Sequence, residues 1–219
     1  MSLAVAALAL FAFLAVEHRA DQAALVPLTL FRSARFSGAI AATAAMTFGI
    51  YGMIFLLPLL WQSTGALHAQ GAGVALLPCA LVFFLVSPRS GPLAGRFGMR
   101  LMTAGGTATI AAGLLVLAFT DAGQPLWFAA CGLALTGIGM GMNTGPLMSV
   151  ATDAVTAARS GTAAALINVA RMTGATLGVA ILGSVFALFH SGPEGFRAAM
   201  LTGVAVQAVG AAVAWLCIR

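Results

Sequence analysis

Long apolar runs separated by short polar breaks dominate the chain. Seven runs are legible, at 2–16, 37–62, 71–88, 99–120, 125–150, 161–189 and 196–218. A backbone crossing lipid must satisfy its own hydrogen bonds, so the runs predict helices or the strands of a closed barrel. Unbroken apolar stretches of about 18 residues or more predict helices, because barrel strands alternate. The first run, MSLAVAALALFAFLAV, is short, since fifteen residues span only about 22 Å of a roughly 30 Å hydrocarbon core. Its charges follow it rather than precede it, the wrong order for a cleaved signal peptide. The expectation is a partial helix, or a Met1 that lies inside a longer parent sequence.

Composition turns these helices into membrane spans. The chain is 61% hydrophobic and 7% charged, against roughly 25% charged residues in a soluble domain. The expected fold class is all-α integral membrane with seven transmembrane helices. The net charge of +5 comes from ten arginines and no lysine. These are scattered between spans rather than gathered in a stripe, which argues against a nucleic-acid partner. With seven spans counted, Arg19, Arg32, Arg35, Arg89, Arg96, Arg100, Arg159 and Arg219 fall on one side and Arg197 on the other. By the positive-inside rule that places the C-terminus in the cytoplasm.

The same residues exclude several activities. Without lysine there is no Schiff base for a retinal protein. No span carries paired aspartates or an H-E-x-x-H helix, so an enzyme is not expected. Cys79, Cys131 and Cys217 lie inside apolar runs with no metal-ligand spacing. The reading is packing, with no metal, disulfide or cofactor.

Segment 17–36, EHRADQAALVPLTLFRSARF, reads as an interfacial stretch or as a simple loop. Close helix packing in lipid needs small residues. Gly137, Gly141 and Gly145 recur every fourth residue in the fifth run, and Gly174 and Gly178 repeat the device in the sixth. They predict packing faces, on which helices can also slide. Pro58, Pro78 and Pro146 are candidate kinks.

Polar groups inside the runs are the candidate functional residues. Thr43, Thr47, Tyr51, Phe55 and Gln62 share one helix face, either a cavity wall or a helix–helix hydrogen-bonding seam. Asn168 and Arg171 share a face with Ala175 and Gly178. Arg171 lies a third to half of the way across, as a structural anchor or as a group that meets substrate or coupling ion. Thr136, Met140 and Asn143 form a weaker set. No carboxylate lies in the middle of any span, so the chain supplies no intramembrane proton carrier of its own.

The stretch GPLAGRFGMR, between the third and fourth runs, resembles the signature loop of the major facilitator superfamily, roughly Gly-x-Leu-Ala-Asp-Arg-x-Gly-Arg-Arg/Lys. Gly91, Leu93, Ala94, Arg96, Gly98 and Arg100 match; Gly95 stands at the aspartate position and Met99 at the first closing basic position. The stretches FLLPLLWQSTGALHAQGAGVALLP, LTGIGMGMNTGPL, SGTAAALINVARMTGATLGVAILGSV and VPLTLFRSARF resemble, in order, the C-terminal half of the fourteen-helix drug:proton antiporter branch. The resemblance implies that 37–219 is a C-terminal six-helix half-bundle. Residues 1–36 are then a partial linker-type helix with a cytoplasmic interfacial segment. It further implies a multidrug efflux permease of a bacterial inner membrane, with the lipid bilayer, a hydrophobic small-molecule substrate and a missing N-terminal half or second half-transporter as partners. The glycines and proline of the signature loop are expected to form a tight reversal. Half a cavity is not expected to catalyse coupled efflux alone. The alternative is a non-transporting membrane fragment or assembly partner.

Overall fold

A computed structural model describes residues 28–120, 124–189 and 192–218. The run at 2–16 and residues 17–27 of the interfacial segment lie outside the described residues. Leu28–Arg32 form a short 3-10 turn. Helix α1 (Ala34–Ser63) begins where the Ser33 hydroxyl accepts the Phe36 N–H at 3.4 Å, a side-chain cap that satisfies one of the free N–H groups of the first turn. The Phe31 and Phe36 rings stack edge to face at 5.5 Å across this entry.

Among the described residues, six helical stretches long and apolar enough to cross a bilayer follow one another: Ala34–Ser63, Ala69–Phe97, Met99–Ala118, Leu126–Asp153, Ala157–Leu188 and Pro193–Cys217. The second is built from α2 (Ala69–Ala75), α3 (Leu77–Val86) and α4 (Ser90–Phe97). Beyond it come α5 (Met99–Ala118), α6 (Leu126–Asp153), α7 (Ser160–Leu188) and α8 (Pro193–Cys217). Pro193 stands at the start of α8 with Glu194 in its first turn, the residue types that suit a helix N-terminus.

The signature stretch differs from its expected form. The helix does not stop at Gly91 but continues through Ser90–Phe97. Pro88 lies in a 3-10 turn at Ser87–Arg89 and Pro92 in the first turn of α4, where a missing N–H breaks no helical bond. Gly91 and Gly95 are helical, with open space where side chains would be. Gly98 alone makes the reversal, at φ 86° and ψ 148°, a conformation that glycine adopts without a steric penalty. Gly98→Ala is expected to destabilise the protein by about 1–3 kcal/mol. Gly95→Ala should be neutral to stabilising by up to about 1 kcal/mol. Thermal unfolding of both variants in detergent tests the contrast, and equal melting would contradict it.

The packing has an internal symmetry. α1 packs against α7 and α8, and α6 packs against α3 and α5. α5 packs against α8, and α1 against α6. Exchanging α1 with α6, the Ala69–Phe97 span with α7, and α5 with α8 maps this set of contacts onto itself. That is the arrangement of two inverted three-helix repeats. α1 is the most enclosed helix, with 67% of its most apolar stretch buried against 11% for Ala69–Phe97. Val74, Leu81 and Phe84 on the latter's outer face are exposed.

Glycines set the closeness of the seams. A Cβ at Gly174 would meet the Ala44 carbonyl, and one at Gly178 the Phe48 carbonyl. One at Gly137 would meet the Cys79 backbone, and one at Gly141 the Val86 side chain at 2.8 Å. One at Gly145 would meet the Ser90 hydroxyl at 2.8 Å. Without a hydrophobic drive between helices in lipid, this close backbone approach supplies the dispersion contacts that hold them together.

Candidate substrate-facing surface

The α1 face divides along its length. Thr43 and Thr47 are buried, and their hydroxyls donate back to the Ala39 and Thr43 carbonyls at 2.7 and 3.0 Å. Thr47 also lies where a side chain at Gly174 would go. Tyr51, Phe55 and Gln62, further along the same face, are exposed. Phe55 lies beside Gly183 of α7. The Gln62 amide donates to the Pro58 carbonyl at 3.2 Å, pairing the side chain with its own helix next to the proline.

On α6, Thr136 and Asn143 are fully buried, while Met140 is half-buried against the core. The Thr136 hydroxyl donates to the Leu133 carbonyl at 2.7 Å and lies 3.6 Å from the Cys79 sulfur of α3. With its amide oriented so that each atom meets its complement, Asn143 donates to the Thr103 carbonyl of α5 and accepts from the Thr107 hydroxyl, both at 2.9 Å. Thr136 and Asn143 join helices and have no surface from which to meet a ligand, while Met140 keeps part of its side chain exposed.

On α7, Asn168 is exposed and Arg171 half-buried, with the Arg171 Nε buried and without a hydrogen-bond partner among the described residues. The candidates therefore form two groups. Thr43, Thr47, Thr136 and Asn143 belong to interior seams; Tyr51, Phe55, Gln62, Asn168 and Arg171 reach the surface of the six-helix unit. No hydrogen bond among the described residues joins members of the second group.

The arginines of the signature stretch also separate. Arg96 is exposed. The Arg100 Nε donates to the Trp215 carbonyl at 2.6 Å, and its guanidinium lies 4.0 Å from the centre of the Trp215 ring. This ties the start of α5 to the end of α8. At the opposite end of the same pair, Arg197 lies 4.8 Å over the Phe119 ring. The two cation–π contacts clamp both ends of one helix pair.

Two features were not read from the sequence. Gln207 of α8 is fully buried, and its amide donates to the Ala45 and Met46 carbonyls of α1 at 2.7 and 3.3 Å. Its signal was present, as the one amide in an otherwise apolar span. An apolar groove of about 510 Å³ lies between α1, α7 and α8, lined by Ala41, Ala44, Phe48, Leu177, Val206 and Val209 among others. It carries no polar side chain, so a search along polar stripes passes over it.

Profile comparison matches residues 1–179 to the Major Facilitator Superfamily. The chain belongs to that superfamily. Among its superfamily relatives is multidrug resistance protein Stp of Mycobacterium tuberculosis (strain CDC 1551 / Oshkosh), 34% identical over 179 residues that cover 82% of this chain and 33% of Stp. The tetracycline resistance determinant of Streptomyces rimosus is 31% identical over 195 residues, 82% of this chain and 54% of the relative. The methylenomycin A resistance protein of Bacillus subtilis (strain 168) is 28% identical over 212 residues, 96% of this chain and 46% of the relative. The chain thus spans about a third to a half of the superfamily proteins that it matches. Six apolar helices and this membership make it an integral membrane protein.

Proposed function

We propose that this chain is the C-terminal half of a multidrug efflux permease of the proton-antiport type. Residues 37–219 are its six-helix bundle, and 1–36 a linker helix with a cytoplasmic interfacial segment. One observation carries the reading: a chain with a single pseudo-symmetric six-helix bundle aligns, over 82% of its length, with 33% of a protein named for multidrug resistance. The remaining length of such a relative has room for a second bundle, and a central cavity forms between two.

The C-terminus is cytoplasmic in a bacterial inner membrane, because eight arginines then face the cytoplasm. Tyr51, Phe55, Gln62, Asn168 and Arg171 are the side chains available to a hydrophobic substrate. Arg96, with Gly91, Leu93 and Gly95, is available to the facing half at the membrane edge. Coupling protons are carried by carboxylates outside this bundle, since Asp153 and Glu194, the two described acids, lie in the end turns of α6 and α8.

Co-expression tests the proposal. In a bacterium lacking its own efflux pumps, the chain alone is expected to export ethidium no faster than empty vector. Supplying the six N-terminal helices of an Stp-like relative should restore export. Efflux by the chain alone would refute the half-transporter reading. No restoration, with both pieces present in the membrane, would favour a non-transporting fragment.

A further inference from the structure

Arg171 is an arginine inside a span, and the described residues around it leave its charge unanswered. It lies eleven residues beyond Ser160 in a 29-residue helix. At 1.5 Å per residue that is about 16 Å along the helix. Centring the helix on a roughly 30 Å hydrocarbon core puts its Cα about 10 Å below the nearer edge. Among the described residues the buried Nε has no hydrogen-bond partner. Arg35 shares that feature, but it lies in the first turn of α1, at the end of its span.

The described residues hold two carboxylates. Asp153, at the end of α6, accepts from the Ser149 hydroxyl at 3.3 Å. Glu194 opens α8 at the far end of α7. Glu17, Asp21 and Asp121 lie outside the described residues. Arg171 is not among the residues that line the apolar groove. Leu177, which lines that groove, is six residues further on and so about 120° round the helix. Gly174, between them in angle, forms the near edge of the groove and is pressed on the Ala44 carbonyl. On the Arg171 flank, one turn nearer the helix start, is the exposed amide of Asn168, within reach of a shared ligand at the i, i+3 spacing. Val169 and Met172 beside them are exposed and apolar.

We propose that Arg171 and Asn168 form a binding site for an anionic group carried on an apolar body. The guanidinium offers two parallel N–H donors to a carboxylate or phosphate oxygen pair. The Asn168 amide adds a third donor, and the neighbouring apolar surface takes the body of the ligand. Membrane depth selects against small hydrated anions, which lose their water on entry. The same chemistry is found in an amphipathic organic acid and in an anionic lipid headgroup. The site requires only that α7 cross the bilayer, so it stands or falls separately from transport.

The test uses the full chain in nonionic-detergent micelles, with empty micelles as blank. Binding of pyrenebutyrate is compared with that of pyrenebutylamine, which has the same apolar body and the opposite charge. The carboxylate is expected to bind about tenfold more tightly, a difference of 1.4 kcal/mol. Arg171→Gln should erase the preference. Arg171→Lys should keep part of it, because the charge remains and the planar fork is lost. Asn168→Leu should weaken carboxylate binding several-fold. A wild-type far-ultraviolet circular dichroism spectrum and thermal melt in every variant show that the fold is kept. Competition by a few mole per cent of phosphatidylglycerol assigns the site to a lipid headgroup, and its absence to a free organic acid. Equal binding of the two probes by the wild-type chain overturns the proposal, as does a preference that survives in Arg171→Gln.

Discussion

Gly178→Val is expected to force α1 and α7 apart and to destabilise the protein by about 3 kcal/mol or more. Gly178 has no side chain because the Phe48 carbonyl occupies the place of its Cβ. One turn earlier, Gly174 stands in the same relation to the Ala44 carbonyl. Both obstacles are backbone in a mid-helix position, so neither can rotate out of the way as a side chain would. Relief requires moving one helix relative to the other. That opens the whole seam, and a gap of even 0.5–1 Å forfeits a quarter to a half of each dispersion contact along it. Helix propensity acts in the opposite direction, since replacing glycine by alanine in a helix gains about 1 kcal/mol. Gly178→Ala therefore sets the two effects directly against each other, and the backbone contact is expected to win. Equilibrium unfolding in detergent, followed by fluorescence of Trp61, Trp127 and Trp215, measures it. If Gly178→Val melts with the wild type, the α1–α7 seam is not close-packed and the packing described above is wrong.

Asn143→Ala is expected to cost about 2 kcal/mol without altering any exposed surface of the bundle. The residue is fully buried and joins α6 to Thr103 and Thr107 of α5 at 2.9 Å. It also lies against Gly106, 2.5 Å from where a Cβ would be. Hydrogen bonds between membrane helices average about 0.6 kcal/mol, reaching about 1.7. Truncation adds the cavity left between two backbones that approach too closely to collapse further. A double-mutant cycle with Thr107→Val separates the two terms. A coupling of about 0.5–1.7 kcal/mol identifies a helix–helix bond. Zero coupling, with altered ligand binding instead, would restore Asn143 to a cavity wall.

The spans were legible because each is a run of side chains that lipid accepts and water does not. That property belongs to the residues themselves, and it placed 37–62 and 99–120 within a few positions of Ala34–Ser63 and Met99–Ala118. The signature stretch was harder. Glycine, proline and arginine in close succession read as a loop, yet Pro88 and Pro92 both stand in first turns, where they break no bond, and only Gly98 leaves the helical region. Composition cannot tell which of three glycines carries a reversal, because the answer depends on the direction in which the next helix departs. The polar stripe on α1 divided for a related reason. Thr43, Thr47, Tyr51 and Gln62 share a face by periodicity alone, and periodicity is a property of one helix. Which part of that face is covered depends on where α7 presses its glycines, and it presses them on Ala44 and Phe48.

The sequence by itself determined that this is a helical membrane protein. It also carried the glycines for close packing, an arginine inside a span, and the motifs of its superfamily. These follow from the free energy of each residue in lipid and from spacing along one helix. Only the tertiary structure decided that Asn143 and Thr136 bond across helices, that Gln207 joins α8 to α1, and that the buried Nε of Arg171 has no partner among the described residues. A hydrogen bond or a burial depends on the position of the second group. That position is set by packing of helices far apart in the chain, such as α1 with α7, where two carbonyls occupy the space left by two missing side chains.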